Sequence, residues 1–512
     1  MEQSRTKNAA RNIFFGMFLK VYQILLPFAM RTAMIYVMGM EYLGLNSLFT
    51  SILLVLNLAE LGVGSAMVFS MYKPIAEQNE TEICKLLSLY RLYYRIIGVV
   101  IAVGGLILMP FIPYLISKDS VIPDDTNIYI VYLLNLVSTV LSYWVFAYKQ
   151  SLLNAHQRND ITSKVTMLTY TFQYVSQFAV ILLTKSYYLY LVAAIVTQVL
   201  TNIIVAYYAK KLYPNYKPKG KMEKEKTKAI NRRIKDLFTS RLGMVVVTSA
   251  DSIVISAFLG LTVLGIYNNY YYILSAVVGI LTVIFRSVTA GIGNSIATET
   301  KEKNYNDLNK FTFIIGWVVC ICSCCLLTLI QPFMYIWIRG DSSLMLDFSA
   351  VICFVLYFFV EQINQVLHTY KDASGIWHED RFRPLVTAAA NVILNVVLVQ
   401  FFGIYGVLFA TFISTAFVGM PWIIHNLFTV LFKRSRKEYV FNVLLYAFVT
   451  AVAGAVCVLV CNLIPDNGFL TLAIKLVITG VLSNIVLFVF LHRKKEFKDT
   501  KELVLRIVKR RM

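Results

Sequence analysis

Arg286 lies in the middle of an apolar stretch, "LTVIFRSVTAGIGNSI" (281–296), where a charged side chain needs a physical explanation. A charge at the centre of a membrane-spanning helix costs roughly 2.5–3.5 kcal/mol on insertion scales. A guanidinium binds phosphate or carboxylate oxygens through two parallel hydrogen bonds, so an anionic ligand would offset this cost. The competing interpretation is a structural ion pair, for which Glu60 is the candidate partner.

Other polar residues also interrupt apolar stretches, and several share one helical face. Lys20 and Arg31 are about three turns apart, and Glu361 and His368 are about two turns apart. Ionisable groups within lipid must face a partner or a water-filled cavity, so the sequence predicts a polar lumen. For the uncharged residues, packing between helices is the alternative.

The candidate site residues fall into two groups. Those expected to bind substrate in the lumen are Arg286, Arg31, Lys20, Lys149, Asn57, Gln173 and Gln177. Those expected to couple transport to an ion, or to form ion pairs, are Glu60, Asp251, Glu361 and His368.

The elements that must position these residues are membrane helices. The 512 residues are 58% hydrophobic and 15% charged, and their mean hydropathy is +0.66. Apolar runs of about 20 or more residues recur along the chain, as membrane spans require. We predict an all-α, polytopic membrane protein with about fourteen transmembrane helices, including spans at 44–71 and 161–184. The loops between them are short.

The basic residues behind the net charge of +20 lie mainly in the loops and tails outside the predicted spans. Lys and Arg concentrate on alternate loops and at both ends of the chain, which is the positive-inside pattern and places both termini in the cytoplasm. The basic runs fit attraction to anionic lipids, and no nucleic acid partner is expected. The cysteines of "CICSCC" (320–325) point in different directions on a helix, so we predict packing residues, no metal and no cofactor.

A long basic stretch divides the chain. We predict an N-terminal six-helix lobe at 1–208, a cytoplasmic linker at 209–235 and a second six-helix lobe at 236–432. Two further helices follow at 433–492, and a basic cytoplasmic tail occupies 493–512. "GMEYLGLN" (39–46) is similar to "GLTVLGIYN" (260–268), which indicates a parallel repeat of the kind that transporters build around a central site.

Two longer segments resemble the Wzx-type polysaccharide flippases of the multidrug/oligosaccharidyl-lipid/polysaccharide exporter superfamily. They are "ELGVGSAMVFSMYKPIAEQNETEICKLL" (60–87) and "KDASGIWHEDRFRPLVTAAANVILNVVLVQFFGIYG" (371–406), and "ADSIVISAFLG" (250–260) fits as well. The resemblance implies two six-helix lobes in a V arrangement plus two C-terminal helices. It also implies a place in the bacterial cytoplasmic (inner) membrane, with a polysaccharide polymerase and glycosyltransferases as partners.

The implied activity is translocation of undecaprenyl-diphosphate-linked oligosaccharide from the inner to the outer leaflet for capsule, exopolysaccharide or O-antigen synthesis. Alternating access through the cationic lumen would be driven by the membrane potential or by H⁺ or Na⁺. The alternatives are a cation-coupled multidrug or small-solute exporter of the same fold, and a lipid II flippase. The short loops leave no room for a catalytic domain, so an enzyme is not expected.

Overall fold

The structure is a computed structural model that describes residues 2–60, 62–465 and 468–511. Side chains are described except at 2–17, 59, 236–237, 239–241, 290, 503–504 and 506–511, so the ends of the predicted first and last domains (1 and 512) lie outside the described residues. These residues form helices and no strand. The helices are α1 (Glu2–Val37), α2 (Met40–Leu56), α3 (Val63–Ala76), α4 (Glu80–Leu108), α5 (Ile128–Trp144), α6 (Gln150–Ala155), α7 (Asn159–Thr184), α8 (Tyr187–Leu212), α9 (Lys224–Leu259), α10 (Leu261–Thr298), α11 (Lys301–Trp337), α12 (Phe348–Ser374), α13 (Arg383–Phe402), α14 (Ile404–Ile413), α15 (Met420–Asn426), α16 (Lys437–Cys461), α17 (Phe469–Leu491) and α18 (Lys495–Arg511).

Most of the predicted spans coincide with long apolar helices. By length and composition, 11 helices in the described part of the chain can cross a membrane, or 12 if the bent pair α5 and α6 forms one span. The predicted span at 44–71 is instead divided between α2, of 17 residues, and α3, of 14 residues. The span predicted at 161–184 lies in α7, which is long enough but rich in Thr, Gln and Tyr. The chain is a multi-pass membrane protein, and the count of fourteen stays a prediction.

The chain forms two compact units, Met1–Gly265 and Ile266–Met512, called here the N-terminal and C-terminal units. The lobes and the linker predicted from the sequence stay a prediction. Within the N-terminal unit, α9 packs on α2. Just after α9, the first residue of α10 also lies close to α2, because a Cβ on Gly44 would lie 2.1 Å from the carbonyl oxygen of Leu261.

In the N-terminal unit, α7 packs on α8 and α1, and α5 packs on α4 and α8. Local signals begin several of these helices. The Asn79 side chain accepts a hydrogen bond from the Glu82 amide (3.0 Å) at the start of α4, and Asn127 accepts one from Tyr129 (2.9 Å) at the start of α5. Such caps satisfy amides that have no partner within the helix. They fix where the membrane helices begin.

In the C-terminal unit, α11 is the central helix and packs on α12, α16 and α17, while α13 packs on α14. The buried residues of α11 recur along one face, with Leu308, Ile315 and Val319 at most 1% exposed. Two π-helical segments, at Ser414–Gly419 and Leu427–Phe432, interrupt the α14–α15 region. Such segments often mark functional positions in helices.

Two membrane helices of the N-terminal unit are broken rather than continuous. After α2, a 3₁₀ turn at Asn57–Glu60 is followed by Gly62, whose φ of 91° suits glycine. After α5, the chain bends by 46° before α6, and Phe146 adopts a φ of 54°. Irregular backbone within a membrane is tolerated where protein covers it or where it lines a water-filled cavity.

Candidate functional site

Both helix breaks of the N-terminal unit border the same cavity, whose volume is about 700 Å³. Glu60 lies in its wall at the first break, and Tyr143, Ala147 and Gln150 lie in its wall at the second. Cavities of this size bind small molecules in many proteins. The irregular backbone therefore places polar side chains in the wall of an open cavity within one unit.

Glu60 is half-buried and belongs to a chain of hydroxyl groups. The Tyr94 hydroxyl donates to Glu60 Oε1 (3.3 Å), and the Tyr90 hydroxyl donates to that of Tyr94 (2.6 Å). Gly64 faces this cluster, since a Cβ there would lie 3.0 Å from Glu60 Oε1 and 3.1 Å from the Tyr90 oxygen. The carboxylate thus has hydrogen-bond donors around it within the N-terminal unit.

Asn57 lies next to this cluster but contributes through a tyrosine. The Tyr143 hydroxyl donates to Asn57 Oδ1 (3.4 Å), and the Tyr143 ring meets the Tyr94 ring edge to face at 5.3 Å. Edge-to-face contacts of this kind add to the packing of aromatic side chains. Asn57 and Glu60, both predicted from the sequence, are therefore brought together at one site.

Lys20 and Arg31 lie on α1 and differ in their surroundings. Lys20 is exposed, whereas Arg31 is half-buried and close enough to Tyr190 to interact with it electrostatically. Between them, Pro27 lies within the helix. On the same helix, Met30 and Met34 are buried in the N-terminal unit (3% and 1% exposed). The packing of α1 thus leaves Lys20 outside the core of the unit.

Arg286 is exposed on α10 and makes no hydrogen bond or ion pair with the described residues of its own unit. The same helix buries Leu274, Leu281 and Phe285 at 1–3% exposure, which turns the face of Arg286 away from the core. The hydroxyls of Thr282 and Thr289 donate to backbone carbonyls one turn earlier in the helix. The face around Arg286 is therefore hydrophilic and accessible in the C-terminal unit.

The structure separates three predicted lumen residues from the Glu60 cavity. Lys149 lines a smaller cavity of about 250 Å³, together with Lys210 and Lys217. Gln177 is 1% exposed and donates to the Tyr190 carbonyl (3.1 Å), and Gln173 donates to Gln177 Oε1 (3.4 Å). Gln177 thus joins α7 to α8, whereas the hydrogen bond of Gln173 stays within α7; contacts between helices are the alternative that the sequence left open for such residues.

Asp251 belongs to the N-terminal unit, whereas Glu361 and His368 belong to the C-terminal unit. Asp251 is buried on α9 at 8% exposure. Glu361 and His368 are half-buried on α12, where Asn364 Nδ2 lies 3.4 Å from His368 Nε2. The other imidazole nitrogen lies 3.5 Å from Arg383 Nη2. His368 therefore joins the face of Glu361 to a charged cluster at the end of α12.

The charged cluster centres on Asp380, which is 2% exposed. Arg383 donates two hydrogen bonds to its carboxylate, from Nε (2.7 Å) and Nη2 (2.8 Å). The Lys371 ammonium lies 3.6 Å from the same carboxylate, and Asn426 donates to it (3.2 Å). Residue spacing in the sequence did not predict this cluster, although Lys371, Asp380 and Arg383 belong to the "KDASGIWHEDRFRP" segment (371–384) that carried the resemblance.

Several solved structures similar to this chain are flippases or transporters. The lipid II flippase MurJ, in an inward closed conformation, is 16% identical over 93% of this chain and 98% of its own, with a TM-score of 0.68. An inward-facing multidrug resistance MATE family transporter is 15% identical over 82% and 99%, with a TM-score of 0.58. A MOP superfamily transporter from Pyrococcus furiosus is 13% identical over 84% and 97%, with a TM-score of 0.56.

These likenesses show that the chain has the fold of MOP superfamily transporters. No curated protein matches the sequence significantly. A sequence model described as "polysaccharide biosynthesis protein" matches residues 9–290, which is more than half of the chain. The Glu60 cavity and the residues of α1 discussed above lie within this match. Because the match covers more than half of the chain, the chain belongs to the polysaccharide biosynthesis protein family.

Proposed function

We propose that the protein is a flippase that moves undecaprenyl-diphosphate-linked oligosaccharide from the inner to the outer leaflet of the bacterial cytoplasmic membrane. The observation that carries the proposal is Arg286, an exposed cation on a hydrophilic face of a long membrane helix, without a partner among the described residues of its own unit. Family membership supports a role in polysaccharide synthesis.

The chemistry of such a substrate explains why a cation is kept at this position. A diphosphate cannot cross hydrocarbon unaided, whereas a polyprenyl chain can remain in the lipid. The guanidinium would bind the diphosphate oxygens bidentately, with Arg31 and Lys20 as further cationic contacts. This interaction offsets the insertion cost of the charge. In an alternating-access cycle, the lumen would open to each side of the membrane in turn.

We further propose that Glu361 with His368 provides the site for ion coupling. The carboxylate is half-buried on α12 and has no hydrogen-bond or ion-pair partner in the part of the chain that the structure describes. A carboxylate in a membrane helix needs a proton, a cation or water to compensate its charge. His368 lies about two turns from Glu361 on α12 and contacts Arg383 of the Asp380 cluster.

A cation-coupled exporter of drugs or small solutes is the second candidate, because the similar structures include a multidrug resistance transporter. Glu60 among Tyr90, Tyr94 and Tyr143 favours this candidate, since carboxylates and aromatic rings bind organic cations. It differs from the first candidate in the sign of the ligand charge. The two are therefore separated by the response to changes at Arg286.

The test uses protein reconstituted in liposomes with three probes. These are the lipid-linked oligosaccharide fraction extracted from the source cells, lipid II, and the organic cation tetraphenylphosphonium. Translocation of the lipids is measured by the sugar that becomes accessible to impermeant periodate. We expect transport of the oligosaccharide lipid, a loss of about tenfold to hundredfold in Arg286→Ala, and partial activity in Arg286→Lys, because one charge-assisted contact contributes roughly 1.5–3 kcal/mol.

Other outcomes would overturn the proposal. Transport of tetraphenylphosphonium alone would indicate the exporter, and transport of lipid II alone would indicate a lipid II flippase. The exchange Arg286→Glu with Glu60→Arg tests the structural interpretation of both charges. If this exchange restores transport that each single change abolishes, then Arg286 serves a partner rather than the substrate.

A further inference from the structure

The cavity of the N-terminal unit carries more unpaired hydrogen-bonding capacity than packing requires. Gln150, Asn154 and Gln198 line it, and their side-chain amides make no hydrogen bond within the described residues. By contrast, Asn202 in the same wall donates to the Ser142 carbonyl (3.1 Å). A free amide inside a protein must pair with water or with a ligand to avoid the cost of desolvation.

The unpaired amides have a defined chemistry. Each offers one carbonyl acceptor and two N–H donors, and none carries charge. They come from α6 and α8, while Glu60 enters the cavity from the first helix break and the tyrosines enter it mainly from α4 and α5. Donors and acceptors therefore surround the space from several sides. This arrangement suits a ligand that has many groups able both to donate and to accept.

Aromatic rings complete the wall. The Tyr90 and Tyr94 rings lie 4.3 Å apart between centroids, and Tyr143 meets Tyr94 at 5.3 Å. Each ring presents an apolar face, and its hydroxyl adds another hydrogen-bonding group. A pyranose ring has the complementary surfaces, since its C–H groups form an apolar face and its hydroxyls lie at the rim.

We propose that this cavity binds neutral sugar residues, and specifically part of the oligosaccharide of the transported lipid. The inference rests on the proposed function, and adds to it a separate place where the sugar is recognised. A site that pairs with hydroxyls discriminates strongly against ligands that lack them, because its polar groups are then left unpaired. Selectivity for the glycan is therefore a property of the N-terminal unit.

An organic cation is the competing ligand, and the wall argues against it. Glu60 is its one acidic residue, and that carboxylate already accepts a hydrogen bond from Tyr94. The three free amides and the serines contribute no negative charge. A cation would leave the N–H donors of Gln150, Asn154 and Gln198 unpaired, whereas a sugar hydroxyl pairs with them.

The decisive variants fill the cavity or remove its free amides. In Gly64→Leu, the new side chain starts 3.0 Å from Glu60 Oε1 and extends into the space. Its control is Gly480→Leu, the same change on α17, where a Cβ meets nothing within 4 Å. Asn154→Leu and Gln198→Leu remove free amides without breaking an internal hydrogen bond. Their control is Asn306→Leu, on the exposed side of α11, because the Asn306 amide also makes no hydrogen bond within the described residues.

Binding is measured with protein in nanodiscs by native mass spectrometry. The probes are the extracted lipid-linked oligosaccharide fraction and undecaprenyl diphosphate without sugar. We expect Gly64→Leu and the two amide variants to weaken binding of the sugar-bearing lipid about tenfold or more. Binding of undecaprenyl diphosphate should stay unchanged, and the two control variants should match the wild type for both probes.

The alternatives give distinct results. Arg286→Ala should weaken binding of both lipids, so if the wild-type protein binds neither, the proposed function fails and this inference fails with it. If the wild type binds both but the cavity variants weaken both equally or neither, only the sugar site is wrong. If the cavity variants instead abolish binding of tetraphenylphosphonium alone, the cavity is a cation site. If Gly64→Leu does not fold, the binding measured for Asn154→Leu and Gln198→Leu tests the sugar site.

Discussion

Replacing Asp380 with Asn should destabilise the C-terminal unit strongly while changing almost no volume. The substitution removes the charge that compensates Arg383 (4% exposed) and one of the two carboxylates near Lys371 (5% exposed), which also lies 3.0 Å from Asp372. Breaking a buried ion pair by neutralising one partner costs about 3–5 kcal/mol, because the other charge stays buried. Since Asn is nearly isosteric with Asp, a cavity contributes little to this cost.

An exposed ion pair provides the control. Lys310 and Asp307 lie 2.8 Å apart, but their side chains are 30% and 32% exposed. Such pairs contribute about 0–1 kcal/mol, so Asp307→Asn should melt close to the wild type. At roughly 2–4 °C per kcal/mol for a unit of this size, Asp380→Asn should lower the melting temperature by about 10 °C.

The cysteines supply the assay. Cys320, Cys324 and Cys353 are buried in the C-terminal unit, so a thiol-reactive dye reports when that unit opens on heating. The double variant Asp380→Asn with Arg383→Gln should recover part of the loss, because it removes one of the uncompensated cations. The reasoning is refuted if Asp380→Asn melts with Asp307→Asn, or if the double variant melts lower than the single one.

Three further predictions concern pH, close packing and coupling. Burial lowers the pKa of His156, which stacks 4.0 Å from Tyr213, and a hydrogen bond to the Leu152 carbonyl offsets this only in part. The unfolded chain then takes up a proton more readily, so stability should fall as pH drops below about 6.5, and His156→Phe should reduce that fall in thermal melts followed by tryptophan fluorescence. Gly44→Ala should abolish folded protein in size-exclusion chromatography, because its Cβ would lie 2.1 Å from a backbone oxygen, whereas Gly104→Ala, with a leucine side chain at 3.4 Å, should not. Glu361→Gln should abolish the dependence of transport on a pH gradient while keeping binding of undecaprenyl diphosphate, and a variant that still follows the gradient would exclude Glu361 as the coupling site.

Hydropathy and charge were sufficient to predict a helical membrane protein. A bilayer requires long apolar helices, and Lys and Arg in such proteins concentrate in the loops. They could not predict where a helix breaks. The predicted span at 44–71 contains the 3₁₀ turn at Asn57–Glu60, and an apolar composition is the same in a broken and a continuous helix. Gly62 was the available signal, since its φ of 91° requires glycine.

The sequence showed the charges of the site but not their partners. Glu60 was selected as an intramembrane carboxylate, whereas the cavity beside it is assembled from side chains of distant segments such as Asn154 and Gln198. In the same way, Asp380 meets Asn426 only through the packing of the C-terminal unit. Helical periodicity relates residues within one helix, so it cannot predict clusters formed between helices. Gln177 was predicted to bind substrate, but its side chain forms a hydrogen bond between two packed helices.

The breaks themselves argue that the N-terminal cavity is a functional feature. A lobe that served only for packing would be more stable with continuous helices. Here Phe146, which is not glycine, adopts a left-handed φ of 54°, a conformation that costs about 1–3 kcal/mol. This strained residue and Gly62 flank the two breaks that border one cavity, and the same cavity holds the unpaired amides. Strained backbone lowers stability, so a ligand that pairs with the amides gives a physical reason for the breaks to persist at this place.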